Sequence, residues 1–439
     1  MNKIKAPAPV DGSLYAPDTR EPEAYYGLPR EVKYCSSCII SNQRPASADE
    51  FSHTRGVAKS SMHLDDSGEC DACKFARIKN DEIDWDERAQ ELADLCDRYR
   101  RTDGRYDCLV PGSGGKDSIM AAHILKYRYG MHPLTVTWAP HIYTEWGWRN
   151  FQAWIHAGFD NHLFTPNARV HRLLTRLALE TICHPFQPFM IGQKAFAPKL
   201  ARQLDIPLVL FGDNPGEHGD ALARNFTPIR DVTQYTSRDP ESIYLGGTSI
   251  EELKANYGLD ANDLHPYMPA HPDELAAAKI DVQWLSYYLK WHVQGNYYYA
   301  VEHSGFQPAP DRSPGTYSRY NSIDDKMDDL HFYTTYIKFG YGRATQEACF
   351  EIRNGDITRN EAINLARRYD GEFPERFFDE LLTYLSLPEN EFPIAAQMFE
   401  QPEIGRSYFS ALIDRFRSPH LWKRENGNWK LRHTPWDEN

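Results

Sequence analysis

Ser113-Gly114-Gly115-Lys116-Asp117-Ser118 crowds two hydroxyls, two glycines, an ammonium and a carboxylate into six positions. It follows an apolar run, Cys108-Leu109-Val110, that reads as a buried strand. It opens an apolar segment of helical period, Ile119–Leu125. A Gly-rich turn between strand and helix aims backbone N–H groups at one point, and the helix dipole there favours an anion. Without Cβ atoms the backbone can come close to an oxyanion. The spacing is not that of a Walker A loop, which needs Ser or Thr where Asp117 stands, nor of a dinucleotide fingerprint. The competing assignment is a plain turn with Asp117 in a solvated capping role. Two further groups have ligand chemistry. Cys35-Ser36-Ser37-Cys38 and Cys70-Asp71-Ala72-Cys73 are Cys-x-x-Cys knuckles, and together they could close a tetrahedral, structural Zn²⁺ site. The loop between them, residues 39–69, exceeds the usual zinc-ribbon gap and must fold back. An iron–sulfur cluster uses the same ligand type. A redox role is disfavoured, because neither pair reads as opening a helix after a strand.

The elements that must position these groups follow from periodicity. Asp84 to about Arg101 reads as a helix with Leu92, Leu95 and Tyr99 on one face. Strand 107–110, the loop and a helix over 117–129 form the first unit. Further strands are expected at Pro133–Trp138, Asn161–Phe164 and Leu208–Gly212, with helices at Trp146–His156 and Val170–Thr181 between them. Such alternation implies an α/β fold, a parallel sheet with helices on both faces. Ligands then sit beyond the carboxyl ends of the strands, where Asp117, His141–Trp148 and Asp213 fall. The expected division is an extended arm (1–33), a four-cysteine zinc module (34–80), a nucleotide-binding α/β domain (81–282) and a helical C-terminal region (283–439). The crowded aromatics Trp284–Tyr299 favour packing over a ligand box.

Composition narrows the partners. The chain has 439 residues, 41% hydrophobic, with a net charge of −13. An acidic protein is poorly suited to a long phosphate backbone, so no nucleic-acid partner is expected, while a small anionic nucleotide needs one local site. No apolar run is long enough to cross a bilayer, and the first residues lack a signal peptide's apolar region. Eight cysteines at this length do not make a disulfide scaffold. A cytoplasmic protein without membrane insertion is expected.

The motif Ser113–Ser118 resembles the S-G-G-x-D-S loop of the PP-loop ATP pyrophosphatases, which split ATP between the α- and β-phosphates and adenylate an oxygen. The resemblance implies an adenine-nucleotide α-hydrolase-like fold. In it Ser113, Gly114, Gly115 and Ser118 donate to pyrophosphate, and Asp117 supplies the carboxylate for Mg²⁺. Lys116 either touches phosphate or points to solvent. The order of the two knuckles, this loop, Phe211-Gly212-Asp213-Asn214-Pro215 and Ile337-Lys338-Phe339-Gly340-Tyr341-Gly342-Arg343-Ala344-Thr345 resembles the N-acetyl sugar amidotransferases of surface-polysaccharide and flagellin-sugar biosynthesis. That resemblance spans residues 34–385, leaving the arm and the tail past about 390 outside.

The resemblance implies an AMP-forming ligase that turns a sugar N-acetyl group into an acetamidino group through an adenylated imidate. The sugar is expected to be nucleotide-linked, and ATP and Mg²⁺ are required. Lys338 and Arg343 would add positive charge at the phosphates, unless they are a solvated basic pair. Asp213 would bind a second metal or orient substrate, unless it is only a turn residue. Ammonia would come from a separate glutaminase. Here Met1-Asn2-Lys3 offers no N-terminal cysteine, and none of the cysteines lies in a Gly-flanked nucleophile elbow. The competing functions are a tRNA-modifying enzyme of the thiolation type, which would want a basic face, and a non-catalytic nucleotide-binding scaffold.

Overall fold

The computed structural model describes residues 3–45, 50–54, 56–213, 215–219 and 226–437; Met1, Asn2 and Asn214 of the motifs above lie outside them. The four-cysteine segment leads into α1 (Asp71–Asp81), and α2 (Trp85–Tyr99) follows, capped by Asp84, whose carboxylate accepts from the amides of Asp86 and Glu87. The expected redox exclusion needs correction at one point. Cys70 is the N-cap of α1, so the second knuckle does open a helix, although among the described residues no strand precedes it, only the isolated bridge of Leu64 with Cys70. Isolated apolar residues in 64–76 gave no periodic signal for that helix.

The central sheet is parallel throughout. Its strands are β1 (Cys108–Pro111), β2 (Pro133–Trp138), β3 (Asp160–Phe164) and β4 (Leu208–Phe211), crossed over by α3 (Lys116–His123), α4 (Glu145–His156), α5 (Ala168–Ile182) and α6 (Gln187–Gln203). α3 runs on as a wider turn over Ile124–Arg128, so the helix expected over 117–129 loosens midway. After β4 come a two-residue hairpin, β5 (Tyr244–Leu245) and β6 (Thr248–Ser249), then α7 (Ile250–Tyr257), α8 (Ala261–Leu264) and α9 (Pro272–Ala277). A fifth parallel strand, β7 (Asp281–Trp284), pairs with β4. The order is β3-β2-β1-β4-β7. β1, wholly apolar and buried at Cys108–Val110, is therefore central. The chain builds outward from β1 to β3, then returns to the other side of β1. That reversal opens a crevice beyond the ends of β1 and β4, where ligands sit in such sheets.

Besides α1 and the short elements between β4 and β7, two elements of the central layer escaped the sequence reading. α6 carries Pro188 in its first turn and Pro198 inside, and is buried nearly all round, so it shows no amphipathic stripe. β7 straddles the boundary drawn at 282/283. A four-residue strand reading Asp-Val-Gln-Trp has no period to detect, and its pairing with β4 is a tertiary fact.

The C-terminal region holds α10 (Val293–Ser304), α11 (Met327–Phe339), α12 (Arg343–Asn354), α13 (Arg359–Tyr369), α14 (Phe378–Leu385) and α15 (Arg406–Asp414), closed by a hairpin of β8 (Trp422–Glu425) and β9 (Asn428–Leu431). It shares a core with α5: Leu174, Leu177, Met327, Ile337, Leu381 and Phe409 are all buried in one cluster. The N-terminal arm is tied down at both ends. Ile4 bridges Phe399 in parallel, and Tyr15, 1% exposed, donates its hydroxyl to the Arg417 carbonyl at 2.8 Å. Tyr15→Ala is expected to cost about 3 kcal/mol, the usual scale for truncating a buried aromatic. Urea unfolding measures it, and faster proteolysis of the arm should accompany it.

Candidate functional site

The loop after β1 owes its shape to two close backbone approaches. Gly114 has φ +84°, and a Cβ there would stand 2.7 Å from the Phe151 Cα in α4. Gly147 lets the same helix approach residue 324, since a Cβ would lie 2.4 Å from the Asp324 Cα. Thr144 completes the clamp. Its amide donates to the Asp324 carbonyl at 3.0 Å and its hydroxyl to the Ile323 carbonyl. α3 begins at Lys116 with Gly115 as N-cap and no side-chain cap, which leaves its first amides to an incoming anion. Ser118 Oγ donates back to the Gly115 carbonyl at 3.0 Å. The Asp324 carboxyl lies near Ser113, and its pKa is raised because burial outweighs the favourable influence of that hydroxyl.

Asp117 points from the first turn of α3. Its Oδ2 is 2.6 Å from Lys116 Nζ, and its Oδ1 accepts from Asn296 Nδ2 at 2.8 Å. Lys116 therefore does not reach solvent. It is 7% exposed, because its own neighbour's carboxylate and the Tyr320 ring, 5.9 Å away, draw it inward. Asn296 and Asp324 were not found from sequence. Each sits more than 170 positions from its partner in the loop, and neither belongs to a spaced motif.

Beside the loop lies a cavity of about 570 Å³, walled by the ends of β4 and β7, the start of α6 and one face of α11. Asp213 and Lys338 both line it. Asp213 pairs with His218 at 2.5 Å. Burial opposes its ionisation, but the charges of His218 and Lys116 prevail and hold its carboxyl below the usual range. Asp213 thus links cavity and loop. Lys338 is buried, donates to the Ile182 carbonyl at 2.6 Å, and is pushed down to about 7 by burial and by Lys59. Arg230 lies over the Phe211 ring at 4.0 Å, and burial lowers its pKa to about 10. The expectation of a solvated basic pair fails for both members, since Lys338 is 3% and Arg343 1% exposed. They also part company. Arg343, at the start of α12, pairs with Glu347 at 3.0 Å, donates to the Asn321 carbonyl, and lies over Phe332 at 4.5 Å. Its side chain is committed to the 321–322 backbone rather than extended as a phosphate fork, although its charge acts on Asp324. The helix turn between them rotates the two side chains apart, which sequence spacing could not show.

The four cysteines converge. Cys35, Cys38, Cys70 and Cys73 are all buried, with their sulfurs within 4.8 Å of one another. Cys35 and Cys73 sulfurs are 3.9 Å apart, and Cys38 and Cys70 sulfurs 3.8 Å. Thiolates about 2.3 Å from one tetrahedral ion stand about 3.8 Å apart, so the group suits a single metal ion. The Cys38 and Cys70 amides both donate to Cys35 Sγ, at 3.4 and 3.3 Å, and fix the first ligand. The guanidinium of Arg353 lies near the thiols, where its charge would offset thiolates.

Two outcomes follow. Metal analysis of the purified chain is expected to find about one ion at this group, lost when any of Cys35, Cys38, Cys70 or Cys73 becomes Ser, with a fall in thermal stability. Gly114→Ala should lower thermal stability in a melting experiment, because both the positive φ and the approach to Phe151 exclude a Cβ. Gly115→Ala should remain folded, since its Cβ meets only Ser113 Oγ at 3.6 Å.

With this geometry in hand, comparison with known proteins is informative at the C-terminus. Residues 314–434 match the family model of the LPS biosynthesis protein WbpG-like, C-terminal domain. No curated protein matches the chain. Among solved structures, the U34-tRNA thiolase NcsA from Methanococcus maripaludis with its [4Fe-4S] cluster is similar over 65% of this chain and 82% of its own, at 11% identity and a TM-score of 0.27. The family match extends past 390, so the tail that the sequence reading left outside belongs to the matched region. It is held there by the Trp422 indole, which donates to the Ile337 carbonyl at 2.8 Å. The matched segment contains the Ile337–Thr345 landmark, so the C-terminal part of this chain is similar to the C-terminal domain of WbpG-like LPS biosynthesis proteins, in line with the family that its motif order resembles.

Proposed function

We propose that this protein is an ATP-dependent amidotransferase that converts a sugar N-acetyl group into an acetamidino group and releases AMP and pyrophosphate. The observation that carries the reading is one juxtaposition. The uncapped Ser-Gly-Gly-x-Asp-Ser turn packs Gly114 against α4, and Gly147 of the same helix packs against Asp324 of the region matched to LPS biosynthesis proteins. An anion site and a sugar-pathway domain thus share one wall.

An amide oxygen is a weak nucleophile and its carbon a weak electrophile. Transfer of AMP to the oxygen creates a leaving group, after which ammonia attacks the carbon and AMP departs with the oxygen. In the first step the amides of α3 and the Ser113 hydroxyl hold pyrophosphate, joined by the Ser118 hydroxyl when it turns from the Gly115 carbonyl, and the work is alignment and charge neutralisation. The residues fit Mg²⁺ at Asp117, whose carboxylate is 39% exposed and oriented by Asn296. When bound, Mg²⁺ supplies countercharge to the phosphates. Lys116 orients Asp117 and lends charge to both carboxylates, Asp117 and Asp213. The cavity beside the loop receives the sugar, with Asp213 and Lys338 facing it. Arg343 acts from behind, through Asp324, as a positioning residue. The four-cysteine group holds structural Zn²⁺. Ammonia comes from a separate glutaminase: all eight cysteines are buried, and Cys349 lies inside α12, away from any nucleophile elbow.

Incubation with ATP, ammonium and a nucleotide-linked diacetamido sugar is expected to yield AMP, pyrophosphate and an amidine visible by mass spectrometry. Glutamine should not replace ammonium until a glutaminase is added. Asp117→Asn should abolish turnover and leave the fold intact. ADP and phosphate as the coupled products would overturn the mechanism.

A further inference from the structure

The segment 50–54 and the turn after α5 meet on the cavity wall and bring together a group that the reaction above does not use. Glu50, His53 and His184 each offer one ligand atom, and the three atoms lie within 4.8 Å of one another. His53 Nδ1 is 3.7 Å and His184 Nε2 3.6 Å from the same oxygen, Glu50 Oε2. Ligands about 2.1 Å from one tetrahedral ion stand about 3.4 Å apart, so both imidazole–carboxylate distances are within a few tenths of an ångström of that spacing.

The group is held independently of any ion. The Glu50 carbonyl accepts from Gln187 Nε2 at 3.1 Å, the Phe51 carbonyl from the Tyr244 amide at 2.8 Å, and the His184 amide donates to the Ala178 carbonyl at 3.1 Å. A second observation points to a missing partner. Glu50 is 6% exposed, yet its Oε2, the atom facing both imidazoles, is buried without a hydrogen bond among the described residues. A buried carboxylate oxygen of that kind needs an ion or water to satisfy it. His331 stacks on His184 with ring centres 5.0 Å apart and fixes its plane. Lys59 Nζ lies 3.3 Å from His53 Nδ1, so an ammonium already stands at one edge of the group; its flexible stem can swing into the cavity.

We infer that Glu50, His53 and His184 form a second metal site, separate from the four cysteines, for a divalent first-row ion of the zinc type. Two imidazoles and one carboxylate leave a coordination position free, the pattern of reactive rather than structural zinc. All three residues line the cavity, so that position faces its contents. The ion's charge, with those of Lys59 and Lys338 beside it, favours an oxygen donor bearing negative charge.

The test uses the full chain and reads metal content, so it does not depend on amidotransferase activity. Protein saturated with Zn²⁺ and desalted is analysed by mass spectrometry as wild type, as Glu50→Gln, and as His53→Ala/His184→Ala. The wild type is expected to hold about one ion more than either variant, with the cysteines unchanged in all three. Glu50→Gln preserves shape and decides the question if the double variant fails to fold. Co²⁺ added to chain whose cysteines already hold Zn²⁺ should give d–d bands without thiolate charge-transfer absorption. Equal metal content in wild type and Glu50→Gln at saturation, or cobalt bands of thiolate character alone, would overturn the assignment.

Discussion

Backbone proximity, more than any single side chain, organises this molecule. Gly114 lies against the backbone of α4 at Phe151, and Gly147 of α4 lies against the backbone at Asp324. These two contacts stack the Gly-rich turn, α4 and the segment entering α11 into one layered wall. Neither tolerates a Cβ. Loosening either would move Ser113 away from Asp324 and separate the loop from the region matched to sugar-pathway proteins. Packed interiors transmit such shifts because they hold few voids to absorb them.

The electrostatics depend on that wall. The chain carries a net charge of −13, yet its cavity is lined by Arg44, Lys59, Lys194, Arg230 and Lys338. Cations gathered at one cavity in a chain of net negative charge favour a small anionic ligand there, where the field is focused. Lys116 shows the same economy at short range. Its ammonium pairs with Asp117 in the loop while lowering the pKa of Asp213 in the cavity. The charges of the loop and of the cavity are thus coupled.

The periphery stabilises the wall rather than the chemistry. The arm and the tail, distant in sequence, clasp one another at Ile4 with Phe399 and at Tyr15 with Arg417. The four-cysteine segment is short and polar, with little apolar side chain of its own, and gains stability from packing on α12 and from the metal its thiols can hold. Its core is continuous with Ala348 and Cys349 of α12, so the module buttresses the helix whose first residue is Arg343.

What the sequence by itself determined is local. The strand-loop-helix at 108–123, β2 to β4, the helices around them and the pairing of knuckles could be read because period, turn chemistry and ligand spacing are properties of neighbouring residues. Tertiary structure alone decided the rest. Asn296 and Asp324 reach the loop across long separations, and β7 exists as a strand only by lying beside β4. α6 was illegible because burial on all sides erases amphipathic contrast. Lys338 and Arg343, five positions apart, were read as one basic pair; the turn between α11 and α12 sends one to the cavity wall and the other to the 321–322 backbone. The Glu50–His53–His184 group had no spacing signature at all, because its third member comes from beyond α5. Spacing reports which side chains share a face of one element; only the packing of elements determines which faces meet.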